Sequence, residues 1–233
     1  MDANRIVTRR RGGKQHIPRP PNWKIGSAPE WAMRDLSVLH DESEIRRRLA
    51  QHITSTVITN QHINADWVET SKRSAVLIPL LTQDSIPHVV LTRRADHMRN
   101  HKGEVSFPGG RMEVGETPTE AAVREAHEEI ALPTEFVNVV GELEPIATFV
   151  SNSHITPVVA HVDGVHEFVP DPNEVARVFT VPLHELAQRD TYRNEWWETP
   201  RGDINIHFFE LDDETIWGAT GRLLHHLLDI VTQ

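Results

Sequence analysis

Apolar and polar positions run in two rhythms along this 233-residue chain. Ala75-Val-Leu-Ile-Pro-Leu-Leu81 is unbroken and short, as expected of a strand buried on both faces. Gln83-Asp-Ser-Ile-Pro follows as a turn, and His88-Val-Val-Leu-Thr92 as the partner strand. Strand-like runs recur near Val137–Leu143, Ile155–Val162, Val175–Val181 and Ile204–Leu211. A helix is predicted over Thr117–Leu132. A second over Gly218–Val231 places Leu223, Leu224, Leu227 and Leu228 at helical spacing. A short helix is expected at Leu183–Gln188, and Asp41 stands where it would cap an amphipathic helix through Ile45, Leu49 and Ile53. Strands with helices on both sides predict an α/β fold, a mixed central β-sheet sandwiched between helices. No internal repeat interrupts this pattern.

Residues 1–38 lack periodicity and carry Arg-Arg-Arg-Gly-Gly with Pro18, Pro20 and Pro21, a basic extension expected to drape over the body. Residues 39–72 read as a helical lead-in and 73–233 as the main domain. Arg5, Arg9, Arg10, Arg11, Lys14, Arg19 and Lys24 face only Asp2 in the first 24 residues, a local balance of about +6. The net charge of −10 therefore leaves about −16 for the remainder. Such a body repels phosphate backbones, so no nucleic-acid partner is expected. No run approaches the ~18 apolar residues of a membrane span, and the basic start has no apolar segment behind it, so neither anchor nor signal peptide is expected. Cysteine is absent, which excludes disulfides and Cys-based zinc sites and fits a cytoplasmic protein.

The chemistry is concentrated in Gly109-Gly-Arg-Met-Glu-Val-Gly-Glu-Thr-Pro-Thr-Glu-Ala-Ala-Val-Arg-Glu-Ala-His-Glu-Glu-Ile-Ala-Leu132. Thr117 as N-cap, Pro118 at the first helical position and Glu120 two further on form a capping box, and Pro133 ends the helix. Glu125, Glu128 and Glu129, three and four apart, share one face and repel one another. A solvated face is the plain reading of three such carboxylates. A divalent cation is the sharper one, because hard cations take oxygen ligands. The paired glycines, which let the backbone approach closely, and Arg124, whose planar fork can orient a carboxylate, favour the cation.

This segment resembles the Nudix box, G-x5-E-x7-R-E-U-x-E-E-x-G-U with U a bulky aliphatic. Gly110, Glu116, Arg124, Glu125, Glu128 and Glu129 fall in register and Leu132 fits the last position; Ala126 and Ala131 replace an aliphatic and a glycine. The resemblance implies an α/β/α sandwich and hydrolysis of a nucleoside diphosphate linked to another moiety, with Mg²⁺ or Mn²⁺. By position it implies Glu125, Glu128 and Glu129 as metal ligands, joined by the carbonyl of Gly109 or Gly110. Arg124 would orient Glu125, Glu116 would brace the loop, and Glu174 would be an added ligand or base on a late loop. The catalytic set is thus Glu125, Glu128, Arg124 and Glu174.

Upstream, Leu91-Thr-Arg-Arg-Ala-Asp-His-Met-Arg-Asn-His-Lys-Gly-Glu-Val-Ser-Phe-Pro-Gly-Gly110 is similar to the signature of Nudix coenzyme A diphosphatases, matching at Arg94, Ala95, Arg99, Gly103 and Phe107. Thr148–Val158 and Ile216–Leu224 are also similar to stretches of that subfamily. The implied reaction splits coenzyme A or acyl-CoA into 3′,5′-ADP and (acyl-)4′-phosphopantetheine. Arg94, Arg99 and Phe107 would bind substrate, and Gly103 would be structural. The alternatives are a Nudix hydrolase of ADP-ribose, dinucleotides or nucleoside triphosphates, and a catalytically silent Nudix sensor. Its partner is expected to be a small nucleotide, with a homodimer left open. The histidine pairs His97/His101 and His225/His226 read as structural, and Trp196, Trp197 and Trp217 as core or interface aromatics.

Overall fold

The computed structural model describes residues 11–55, 72–98, 101–148, 152–164, 167–200 and 202–233. Arg99 and residues 149–151 of the second subfamily-like segment lie outside them.

The chain opens on β1 (Trp23–Ile25) and helix α1 (Glu42–Ser55), whose Asp41 carboxylate accepts the Glu44 amide. Then come β2 (Lys72–Gln83) and β3 (Ile86–Arg94), a hairpin turning at Asp84 and Ser85. Both turn residues have positive φ, 50° and 65°, the backbone a two-residue turn needs to match strand twist. Short strands β4 (Val105–Ser106) and β5 (Gly109–Arg111) lead into helix α2 (Pro118–Ile130). The sheet is completed by β6 (Val137–Glu142), β7 (Ile146–Thr148), β8 (Ser153–Val162) and β9 (Val175–Pro182). Its main order is β4-β3-β2-β8-β6, with β5 on β2, β7 on β8 and β9 on β3. The β2–β8 pair is parallel and its neighbours antiparallel, so the sheet is mixed, as expected.

Both faces of this sheet are covered, which explains the unbroken apolar text of β2. Ala75, Leu77 and Leu81 turn toward α2 and meet Ala121, Ala122, Ala126 and Ile130. Ile78 and Leu80 turn the other way, into a core shared with Ile45 and Leu49 of α1 and with Leu223, Leu224, Leu227 and Leu228 of the closing helix α4 (Gly218–Thr232). This is the α/β/α sandwich.

A second, four-stranded sheet runs β1-β10-β11-β12, from β10 (Tyr192–Thr199), β11 (Gly202–Glu210) and β12 (Thr215–Ile216), after the short helix α3 (Leu183–Leu186). The basic residues before α1 bind across it. β1 pairs with β10 through Trp23 and Trp197, the Gly12 amide donates to the Leu211 carbonyl, and Arg19 forks onto the buried Glu195. Arg11, its side chain 13% exposed, meets Glu185 at 2.5 Å and Asp190 at 3.3 Å. Among the described residues no helix is long and apolar enough to cross a membrane.

Candidate active site

α2 begins where its sequence says it should. Thr117 Oγ1 accepts the Glu120 amide at 3.2 Å, and the Glu120 carboxylate accepts the Thr117 amide at 2.9 Å. The far end departs from glycine chemistry. Ala131 adopts the left-handed region at φ 53°, where the box pattern has glycine, and its amide donates to the His127 carbonyl at 3.0 Å. His127 Nδ1 lies 3.0 Å from the Leu132 carbonyl and so must carry the ring proton. The helix therefore ends with its usual left-handed cap at the cost of backbone strain.

Arg124 ties the carboxylates together. Its Nε and Nη2 reach the two oxygens of Glu116 at 2.8 and 3.0 Å, its Nη1 reaches Glu125 and Glu128 at 3.0 Å each, and Nη2 also donates to the Arg111 carbonyl. Arg124, beyond its usual hold on its proton, depresses the Glu116 pKa, helped by the Glu113 amide. Glu116 thus braces the 111–116 loop against the helix.

Burial disfavours the ionised forms of Glu129 and Glu125. Glu129 is 4% exposed and accepts the Gly109 amide at 3.2 Å. Burial pushes its pKa up to about 8; the Gly109 amide and the Arg94 charge oppose this, while Glu174 and Glu125 add to it. Burial also raises the Glu125 pKa, against the pull of Arg124 and with a further push from Glu128 and Glu174. Glu174, 45 residues after Glu129 and 49 after Glu125 in the chain, therefore lies near both in space.

The paired glycines are pressed between strand and helix. Gly109 has φ 156°, and a Cβ there would stand 2.4 Å from the Ala75 carbonyl oxygen; a Cβ on Gly110 would stand 2.5 Å from the Glu125 carboxylate. Glycine is what lets this backbone touch the carboxylate. The donor set, hard carboxylate oxygens beside the backbone of paired glycines, fits Mg²⁺ or Mn²⁺ in kind. It is not assembled as a finished coordination shell. Glu128, its side chain 57% exposed, is turned onto Arg124, and among the described residues no three acidic or histidine side chains converge on one point.

Arg94 lies close enough to Glu129 to oppose its protonation, and its buried Nε has no hydrogen-bond partner among the described residues. Phe107 is packed in the core on the α1/α4 side of the sheet. Gly103 takes φ 67°, and a Cβ on it would meet the Asp96 carboxylate at 2.9 Å. A cleft of about 560 Å³ among Arg34, Asp41, Glu44, Arg48 and Gln233 is lined by none of these residues, and its arginines are already paired with Asp229 and Glu44. One tether has no counterpart in the sequence reading: the Asp171 amide donates to the main-chain carbonyl of Glu129 at 2.8 Å, tying the Glu174 loop to the end of α2. The turn-forming Asp171-Pro-Asn before Glu174 was its only signal in the sequence.

The comparisons with known proteins point to one family. The NUDIX domain profile matches residues 71–201. The chain is 36% identical over 179 residues to the uncharacterized Nudix hydrolase NudL of Yersinia pestis (strain Pestoides F), covering 76% of this chain and 86% of that protein. The same figures hold for NudL of Yersinia pseudotuberculosis serotype O:1b. Among solved structures, a MutT/nudix family protein from Enterococcus faecalis is 13% identical, covers 82% of this chain and 74% of its own, and has a TM-score of 0.50, a likeness of fold. The Nudix hydrolase RenU of M. smegmatis is 27% identical over 50% of this chain and 74% of its own, with a TM-score of 0.44. With the matched domain spanning more than half its length and a relative 36% identical across most of its own, this chain belongs to the Nudix hydrolase family.

Proposed function

We propose that this Nudix hydrolase is a coenzyme A diphosphatase, splitting coenzyme A or acyl-CoA into 3′,5′-ADP and (acyl-)4′-phosphopantetheine. The observation that carries this reading is Arg94, a guanidinium with a free buried Nε set beside Glu129 at the head of the Leu91–Gly110 segment. A fork held there suits a diphosphate that the acidic body would otherwise repel. Arg99 would serve the same anion, Phe107 would support the site from the core, and Gly103 would fix the turn between them.

Glu125, Glu128 and Glu129, with a backbone carbonyl of Gly109 or Gly110, would hold Mg²⁺ or Mn²⁺. A bound ion polarises the phosphate and eases deprotonation of water. The rest is supplied by the chain. Arg124 orients Glu125 and keeps Glu128 within reach, Glu116 fixes the loop, and Glu174 joins the ligands or accepts the proton of the attacking water. Glu128 would be one of the residues holding the ion, and its exposed side chain, now on Arg124, leaves it free to turn.

Incubation with coenzyme A and Mg²⁺ or Mn²⁺ should release 3′,5′-ADP, identified by mass. Consumption of ADP-ribose with coenzyme A untouched would overturn the substrate. A Glu128→Gln variant should lose turnover by two orders of magnitude or more, roughly. Undiminished turnover would remove Glu128 from the metal site.

A further inference from the structure

The turn that carries Glu174 is held at both ends. At one end the Asp171 amide donates to the Glu129 carbonyl at 2.8 Å. Within it the Glu174 and Val175 amides both donate to the Asp171 carbonyl, at 3.0 and 2.8 Å, and the Asp171 carboxylate accepts the Asn173 amide and side chain at 2.9 Å each. At the other end stands the loop that leaves β3. The Ala95 amide donates to the Glu174 carbonyl at 2.8 Å, and His97 Nε2 lies 3.0 Å from the Asn173 carbonyl.

A carbonyl only accepts, so His97 must carry a proton on Nε2, and this bond persists whether or not the ring is charged. The irregular register of β3 against β9 at Arg93/Arg94 brings Arg94 beside Val175, so the His97 loop arrives directly at the Glu174 turn. Opposing it are the like charges of Glu125 and Glu129, both of which Glu174 disfavours in their ionised form. An exposed carboxylate on a short loop, facing two others, tends to swing toward water unless its backbone is held.

We propose that His97 is a positioning residue for Glu174: its Nε2–H holds the Asn173 carbonyl and so keeps Glu174 over the carboxylates of α2. This rests on the hydrolase reading above for its consequence in turnover, and on the hydrogen bonds alone for its structural part.

The test uses the full chain with His97→Ala and His97→Gln, whose amide N–H can reach the same carbonyl. His97 is exposed, so both variants should keep the parent's melting temperature. In His97→Ala, hydrogen–deuterium exchange of a peptide spanning 171–175 should quicken while α2 stays protected. Its kcat on the diphosphate substrate should fall roughly tenfold with KM nearly unchanged, as when a supporting partner of a site is removed. His97→Gln should recover most of both. Unchanged exchange in His97→Ala overturns the proposal, as does faster exchange with undiminished kcat, a loss confined to KM, or a loss that glutamine fails to rescue. If the parent cleaves no diphosphate, the hydrolase reading fails instead, and exchange at 171–175 still decides whether His97 holds the turn.

Discussion

At the scale of single residues, spacing alone exposes the charged members of the site. Glu125, Glu128, Glu129 and Arg124 are read from their intervals because a helix converts intervals into faces. What the intervals do not show is which partner each side chain takes, as with Glu128 on Arg124 or the Gly109 amide on Glu129. Ala131 is instructive in the same way. Its sequence position raises the question of how the helix ends, and the structure answers with an alanine forced to φ 53°. Replacing it with glycine removes the Cβ clash of that conformation and gives the unfolded chain some freedom in return. Ala131→Gly should stabilise the protein by about 1 kcal/mol in urea unfolding, with activity unaltered. A destabilised variant would mean that the backbone there is unstrained.

Among the elements, α2 is the most legible because Thr117, Pro118 and Glu120 announce its start and an alanine stripe marks its buried side. Ala121, Ala122 and Ala126 let the helix settle close on β2 and β8, which sets the height of its glutamates above the glycines of β5. Ala126 stands where the box has a bulky aliphatic, and it is fully buried. Ala126→Leu should therefore overpack this contact, costing about 1–3 kcal/mol, and lower kcat by lifting the carboxylates from the backbone. Calorimetry and turnover measured together test it; a neutral substitution would show that the contact has slack. β10 was the opposite case. Its buried Asn194 and Glu195 break the apolar–polar alternation that marks a strand. They are satisfied by partners far away in sequence, the Ser27 carbonyl for Asn194 and Arg19 for Glu195. β1 was hidden for the same reason, since three exposed residues carry no pattern until their partner strand is known.

For the whole molecule, the sandwich follows from the rhythm of the chain, but the meeting of Arg94 with the Glu174 loop depends on β3 pairing with β9, a contact across about eighty residues that local pattern cannot contain. The same assembly buries many histidines. His154, His161, His184, His207, His225 and His226 all have pKa values lowered by burial first, to about 4 for His161 and about 3 for His207. A histidine whose folded pKa lies below its unfolded 6.5 contributes fully above pH 6.5, and its contribution is lost as pH falls toward the folded value, because the unfolded chain takes up the proton first. Glu129, raised to about 8, acts with the opposite sign, so the total slope of stability with pH mixes both. A difference between variants isolates one group. His161 is 4% exposed, its Nε2 has no hydrogen-bond partner among the described residues, and it faces Glu42, Arg46 and Asp163, with Leu80, Leu183 and Ile45 lining the space around it. In His161→Leu the charge that must be kept out of this site no longer exists. Between pH 7.5 and pH 5 the parent should lose about 2 kcal/mol relative to the variant in denaturant unfolding. A gap that stays constant across that range would mean His161 is as easily protonated in the fold as in the unfolded chain.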